Sequence, residues 1–142
     1  DRVMAVNVKG QWLCARAVFP DMQAQHWGRI INISSVGAKT GGAADISVYC
    51  AAKAGLISIT KSFAKYLAPY GTANAIAPGL TDTELSRSWE SPELVERIRS
   101  SVLLGRLGTP EDYAGAAVFL ASEQASFITG ATIDINGGIR MD

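Results

Sequence analysis

Residues Arg29–Ser35 read RIINISS, a short Ile-rich run in which apolar and polar positions do not alternate. A strand with one solvated face alternates, whereas a strand covered on both faces by helices need not, so this run predicts a buried strand of a parallel sheet. Upstream, from Asp1 to about Gln25, Val3, Val6, Gly10, Leu13 and Ala17 recur at steps of three and four. That spacing puts them on one stripe of a helix, with a kink expected near Pro20. Downstream, the Gly-rich loop GAKTGGAAD leads into a helical segment from about Val48 to Leu67, closed by Pro69 and Gly71. Ala73–Ala77 is a second short strand, ending at Pro78-Gly79. Ser91-Pro92 and Thr109-Pro110 each set a hydroxyl at an N-cap and a proline at the first helical position, so each opens a helix; Asp112 gives the second a capping box. Thr132–Ile135 is a last β-branched strand, followed by a turn at Asn136-Gly137-Gly138. The order helix, strand, helix, strand, helices, strand predicts an α/β fold with a parallel sheet, in which ligands bind beyond the carboxyl ends of the strands.

The chain has 142 residues, 48% of them apolar, enough for one domain that buries roughly 68% of its unfolded surface. Thirteen basic and thirteen acidic residues cancel, which argues against nucleic acid and an anionic membrane surface as partners. Charged residues are only 18%, against roughly 25% in an average soluble domain, so part of the surface is expected to be covered by a partner subunit. Cys14, Cys50 and the single histidine, His26, lack metal-ligand spacing, and no metal site is expected. The longest apolar runs fall far short of the ~18 residues a membrane span needs, and no signal pattern opens the chain, so a reducing cytoplasm is the expected compartment.

Tyr49 and Lys53 stand four apart on one predicted helix, so both project from one face about a turn apart. A fixed ammonium about 4 Å from a phenol is worth roughly 4 kcal/mol at an effective dielectric near 20. Support of that size lets a phenol take up and return a proton near neutrality. Ser34 and Ser35 end the buried strand, either as a polar terminus or as part of a site at the ligand-binding end. Asn7 interrupts an apolar stripe and must find hydrogen-bond partners, as a structural residue or within a site. Pro78-Gly79 is either an ordinary turn or a place where backbone approaches a ligand closely. Trp12, Trp27 and Trp89 read as packing or interface residues, and His26 as a surface or capping residue. Cys50 points about 100° away from Tyr49, which argues against a nucleophile.

Taken together, VNVKG with Asn7, INISS with Ser35, YCAAKAG with Tyr49 and Lys53, NAIAPG followed by Thr83, GRLGTPEDYA and FITGATIDINGG resemble the C-terminal, catalytic half of a short-chain dehydrogenase/reductase. The likeness runs the whole chain and is to the type that includes 3-oxoacyl-carrier-protein reductases and sugar or polyol dehydrogenases. It implies part of a single doubly wound, Rossmann-type domain over residues 1–142, with the N-terminal βα units missing. It implies an NAD- or NADP-dependent oxidoreductase acting on a secondary alcohol or ketone. Tyr49 would be the acid/base on the substrate oxygen, Ser35 would hydrogen-bond that oxygen, Lys53 would bind the nicotinamide ribose, and Asn7 would hold a relay water. Pro78, Gly79, Thr81 and Thr83 would border the nicotinamide. A homodimer or homotetramer built through the long helices is implied as well.

Three departures carry expectations. No Gly-rich phosphate-binding turn is present, so the chain reads as a fragment of a larger domain whose sheet would expose an apolar edge and faces, and these residues alone are expected to be poorly soluble or partner-dependent; the alternative reading is a non-catalytic truncated product or interaction module. The loop from Ser35 to Tyr49 is one residue longer than is usual in the family. The stretch YGTANAIAPG is one residue shorter, which predicts an irregular start to the second strand. Leu80 to about Leu104 and Ala38 to Ile46 are expected to shape the substrate pocket, with Arg87, Arg97 and Arg99 as solvated helix charges.

Overall fold

The computed structural model describes residues 1–89 and 91–141, with the side chain of Trp89 outside the described set. The first helical stretch is composite: α1 (Arg2–Met4), a π-helical turn over Ala5–Gly10, and α2 (Gln11–Ala24). The distortion expected at Pro20 lies upstream instead, for α2 runs unbroken through that residue. Pro20 and Arg16, four residues before it, are both exposed, so water can meet the carbonyl that a proline leaves unpaired. The π turn widens the helix until Ala5 O lies 3.3 Å from where a Cβ on Gly10 would stand.

His26 takes φ 54° and closes α2. Its N–H donates to Gln23 O at 3.2 Å and the Trp27 N–H to Met22 O at 3.1 Å, the paired bonds of a Schellman ending. The exposed His26 ring stacks on Tyr70, 4.0 Å between centroids, as a surface cap should.

After β1 (Gly28–Ile33), the stretch expected to be a loop contains α3 (Gly37–Thr40) and a 3₁₀ turn at Ala44–Ile46. Then come α4 (Ser47–Leu67), β2 (Gly71–Pro78), α5 (Glu84–Trp89), α6 (Pro92–Ser101), α7 (Pro110–Ala121), a 3₁₀ turn at Glu123–Ala125 and β3 (Thr132–Ile135). The Ser91 side chain caps Leu94 N–H at 3.2 Å, and Thr109 with Asp112 forms the expected capping box. The three strands are parallel in the order β1-β2-β3. Gly28 pairs with Gly71 and each following residue with the next, so β2 begins in regular register rather than irregularly. The shorter approach is accommodated because two glycines face each other there: a Cβ on Gly71 would lie only 2.8 Å from Gly28 O.

The missing alternation in RIINISS has a direct cause. Ile30 packs against Ala15, Phe19, Phe63, Ala64, Leu67 and Ala73, the core under α2 and α4. Ile31, on the opposite face, joins Ile76, Leu120, Ala125, Ile133 and Ile135, the core under α7. Helices thus cover both sides of the sheet, the doubly wound α/β arrangement that the sequence implied. Two buried amides inside this core are paired. Asn32 Nδ2 donates to Thr60 Oγ1 at 2.8 Å, and Thr60 donates on to Leu56 O at 2.8 Å. Asn74, 1% exposed, donates through Nδ2 to Ile128 O at 2.7 Å and accepts through Oδ1 from Ala131 N–H at 3.0 Å, fastening the segment that enters β3.

Candidate active site

The chain leaves β1 through Ser34 and Ser35, and α4 passes beside this exit. Two hydrogen bonds run in opposite directions between them: Ser34 Oγ donates to Lys53 O at 2.8 Å, and Lys53 Nζ donates to Ile33 O at 2.8 Å. Ser34, 3% exposed, is therefore the structural member of the serine pair. Its own N–H donates to Ile76 O at 2.7 Å, extending the β1–β2 ladder past the strand. The clamp leaves the Lys53 ammonium 5.7 Å from the centroid of the half-buried Tyr49 ring. Burial pushes the Lys53 ammonium below its usual pKa.

Ser35, half-buried, accepts the Gly37 N–H on its Oγ at 3.1 Å, a short turn that starts α3. Its hydroxyl proton is not consumed by that bond. Gly37 is hemmed in: a Cβ there would meet Cys50 Sγ at 3.0 Å and Ser35 Oγ at 3.4 Å, so the Cys50 face of α4 fixes where Ser35 turns. Cys50 itself is buried, and burial raises its thiol above the ordinary value, the opposite of an activated nucleophile.

Asn7 lies in the π turn, which packs against α4; Val8 approaches Gly55 there. The Asn7 side chain turns back along its own helix, Nδ2 donating to Val3 O at 3.1 Å. No hydrogen bond among the described residues joins it to Ser35, Tyr49 or Lys53. Asn7 is thus near α4 by its backbone segment, while its side chain serves its own turn.

Beyond β2, Pro78 O accepts the Val36 N–H at 2.8 Å and Gly79 N–H donates to Ile135 O at 3.0 Å. A Cβ on Gly79 would lie 3.0 Å from Asn136 Cα, so close packing against the β3 exit explains the glycine. Thr81 Oγ1 donates to Gly79 O at 3.2 Å and lies 2.8 Å from the Tyr113 hydroxyl. Thr83 sits at the entry to α5, where Ser86 N–H donates to Thr83 Oγ1 at 3.2 Å and Thr83 N–H donates to Ser86 Oγ at 3.0 Å. Ser86, only 6% exposed, also donates to Thr81 O at 2.8 Å, which makes it the buried anchor of this loop. The sequence reading missed Ser86, although Thr83-x-x-Ser86 is a relative of the capping box with serine in the third helical position. Tyr113 was missed too, and no local pattern announces it.

The recess nearest these groups is lined by Gly79, Leu80, Val102, Leu104, Arg106 and Tyr113, among others. It matches part of the range expected to shape a pocket; residue 90 of that range lies outside the described residues, and the Ala38–Ile46 segment does not line this recess. Arg87 pairs with Asp82 at 2.6 Å, Arg99 pairs with Glu96 at 2.6 Å, and Arg97 is exposed, as solvated helix charges should be. Trp12 carries Arg16 over its ring at 4.5 Å, and Trp27 Nε1 donates to Glu123 at 2.7 Å. Among the described residues no cluster of potential metal ligands occurs, and no helix is long and apolar enough to cross a membrane.

The family described as enoyl-(acyl carrier protein) reductase matches residues 1–140. The chain is 43% identical over 140 residues to the 3-oxoacyl-[acyl-carrier-protein] reductase FabG of Aquifex aeolicus, covering 98% of this chain and 56% of that protein. The chain belongs to the short-chain dehydrogenase/reductase family. Two solved structures place this short-chain dehydrogenase/reductase in space. A gluconate 5-dehydrogenase from Burkholderia cenocepacia J2315, in complex with NADP and tartrate, superimposes with a TM-score of 0.91 at 35% identity, over 96% of this chain and 54% of that one. The TT0495 protein of Thermus thermophilus gives 0.92 at 33% identity, over 97% and 59%. This family member thus spans little more than half the length of the relatives it matches.

Proposed function

We propose that residues 1–142 are the catalytic and substrate-binding portion of one dehydrogenase domain that moves a hydride between NAD or NADP and a secondary alcohol or ketone. The observation carrying this reading is the Lys53 ammonium, clamped to Ile33 O at the carboxyl end of β1 and set over the Tyr49 ring, with Ser35 two residues further along the chain. Lys53 fits a nicotinamide ribose chemically: one N–H is taken by Ile33 O, and an ammonium has two more for a pair of hydroxyls. Pro78, Gly79, Thr81 and Thr83 would border the nicotinamide, and the bound dinucleotide supplies or accepts the hydride.

The chain's own residues supply the proton chemistry. Ser35 Oγ donates its free proton to the substrate oxygen and orients it. Tyr49 gives its phenolic proton to that oxygen as a carbonyl is reduced, or removes it as an alcohol is oxidised. Lys53 favours the phenolate left behind, because a cation near a developing anion lowers its energy. Asn7 would hold a relay water. The substrate class stays at two candidates, 3-oxoacyl thioesters and sugars or polyols. Assembly as a homodimer or homotetramer and residence in the cytoplasm belong to the same proposal.

In the protein as its natural source produces it, NADH or NADPH should be oxidised in the presence of a 3-oxoacyl thioester or a keto sugar. Tyr49→Phe should lower kcat by about 10²–10⁴-fold while cofactor binding persists. A second reading, an interaction module without turnover, is favoured by the outer edge of β1 and the exposed Ile33 and Val48, which offer apolar surface to a partner. A melting curve separates the two: cofactor at ~100 times its dissociation constant adds roughly 2.7 kcal/mol to a complete site. No shift with either cofactor would leave the module reading standing and remove ours.

A further inference from the structure

Tyr113, the fourth residue of α7, packs its ring against the core of Ile76, Leu120 and Ala125. A phenylalanine would fill that role equally well; the hydroxyl needs another explanation. It stands 2.8 Å from Thr81 Oγ1, whose own proton is directed to Gly79 O at 3.2 Å, so the chain of donation runs from Tyr113 to Thr81 to Gly79. The backbone supports the same contact. Gly108 N–H donates to Leu80 O at 3.0 Å, and Asp82 N–H donates to Gly108 O at 2.8 Å, pairing Thr81 with Gly108 as a short parallel bridge.

Gly108 has no alternative here. A Cβ at this position would lie 2.0 Å from the Tyr113 hydroxyl, so only glycine lets the phenol pass over the bridge and reach Thr81. The corner that aims Tyr113 is rigid as well. Arg106 holds Asp112 through two bonds, at 2.6 and 2.7 Å, and Asp112 accepts the Thr109 N–H at 2.7 Å. The residue after this triple anchor is Tyr113.

We propose that Tyr113 is a positioning residue for the loop from Gly79 to Thr83, holding Thr81 in place from α7 across Gly108. This rests on the reading that Thr81 and Thr83 border the nicotinamide. The hydroxyl acts as a latch: it fixes the loop before cofactor arrives, so less order has to be imposed on binding.

The test uses Tyr113→Phe, Gly108→Ala and the double variant in the protein as its natural source produces it. Amide hydrogen exchange at Asp82 and Gly108 should quicken by about tenfold in Tyr113→Phe, and cofactor KM should rise about three- to tenfold, the weight of one neutral hydrogen bond. The kcat should stay within about twofold. Gly108→Ala keeps the phenol but displaces it, so it should give the same phenotype, and the double variant should be little worse than either single. A residue of purely structural importance would lower the melting temperature without changing KM. Unchanged exchange in both single variants overturns the latch; faster exchange with unchanged KM overturns its link to the cofactor. Were the unaltered protein to ignore both NADH and NADPH, the functional reading would fall, and exchange alone would decide the latch.

Discussion

Replacing Asn74 by Ala tests how the sheet is closed. Asn74 lies in the middle of β2 with 1% of its surface exposed, among Ala73, Ala75 and Ile76, where a polar side chain is costly unless both ends are paired. Its amide donates to Ile128 O and its oxygen accepts from Ala131 N–H. Alanine would leave both backbone groups, which are partly buried, without their partner. Each stranded group costs about 1–3 kcal/mol, so the loss is about 2–6 kcal/mol. At about 2–4 °C per kcal/mol for a domain near this size, the melting temperature should fall by on the order of 10 °C. Thermal unfolding followed by circular dichroism, with urea titration as a second probe, reads this directly. A drop under about 2 °C would refute the reasoning, because it would mean that water or rearranged backbone replaces the amide at no cost.

Gly71→Ala should destabilise by about 1–3 kcal/mol, since the added Cβ lies 2.8 Å from a backbone oxygen that cannot swing away. Gly115→Ala, in the interior of α7 with nothing within 4 Å of the new methyl, should instead stabilise by about 0.5–1 kcal/mol, and parallel melting curves compare the two. The Arg106 guanidinium, with the Thr109 N–H, holds the Asp112 carboxyl far below the usual carboxylate range. Because the folded value is depressed, its contribution is complete above the unfolded pKa near 3.9 and is lost as pH falls through the folded one. The gap in urea midpoint between the natural protein and Asp112→Asn should therefore be full at pH 7 and shrink on acidification below about pH 4. A gap that stays constant to pH 2.5 contradicts that assignment.

What was legible in the sequence follows its local signals. RIINISS announced a strand buried on both faces because Ile30 and Ile31 supply opposite cores. Ser91 and Thr109 announced their helices because N-cap chemistry is local. Tyr49 and Lys53 share a helix face by spacing alone. The π turn was hidden, because one extra residue in a helical turn leaves an apolar spacing of three and four unchanged. Pro20 suggested a kink that its solvent-facing position does not require. Asn74 and Tyr113 were invisible for a common reason: each acts on backbone or hydroxyl groups whose proximity the fold creates, across as many as 57 residues for Asn74 and Ala131, whereas Ser86 bonds only three and five residues away and carried a local pattern. The regular start of β2 was likewise unreadable until Gly28 and Gly71 were seen to face each other.

The opposed bonds between Ser34 and Lys53 bear on the order of folding. They close over separations of only 19 and 20 residues, whereas β3 must find β2 from 57 residues away at the Ala75–Thr132 pair. Loop closure disfavours the longer search, and β1 can dock on α4 before the last strand arrives. The alignment of Tyr49, Lys53 and the β1 exit is thus expected to form in an early, locally built unit, with the β3 end of the sheet added around it.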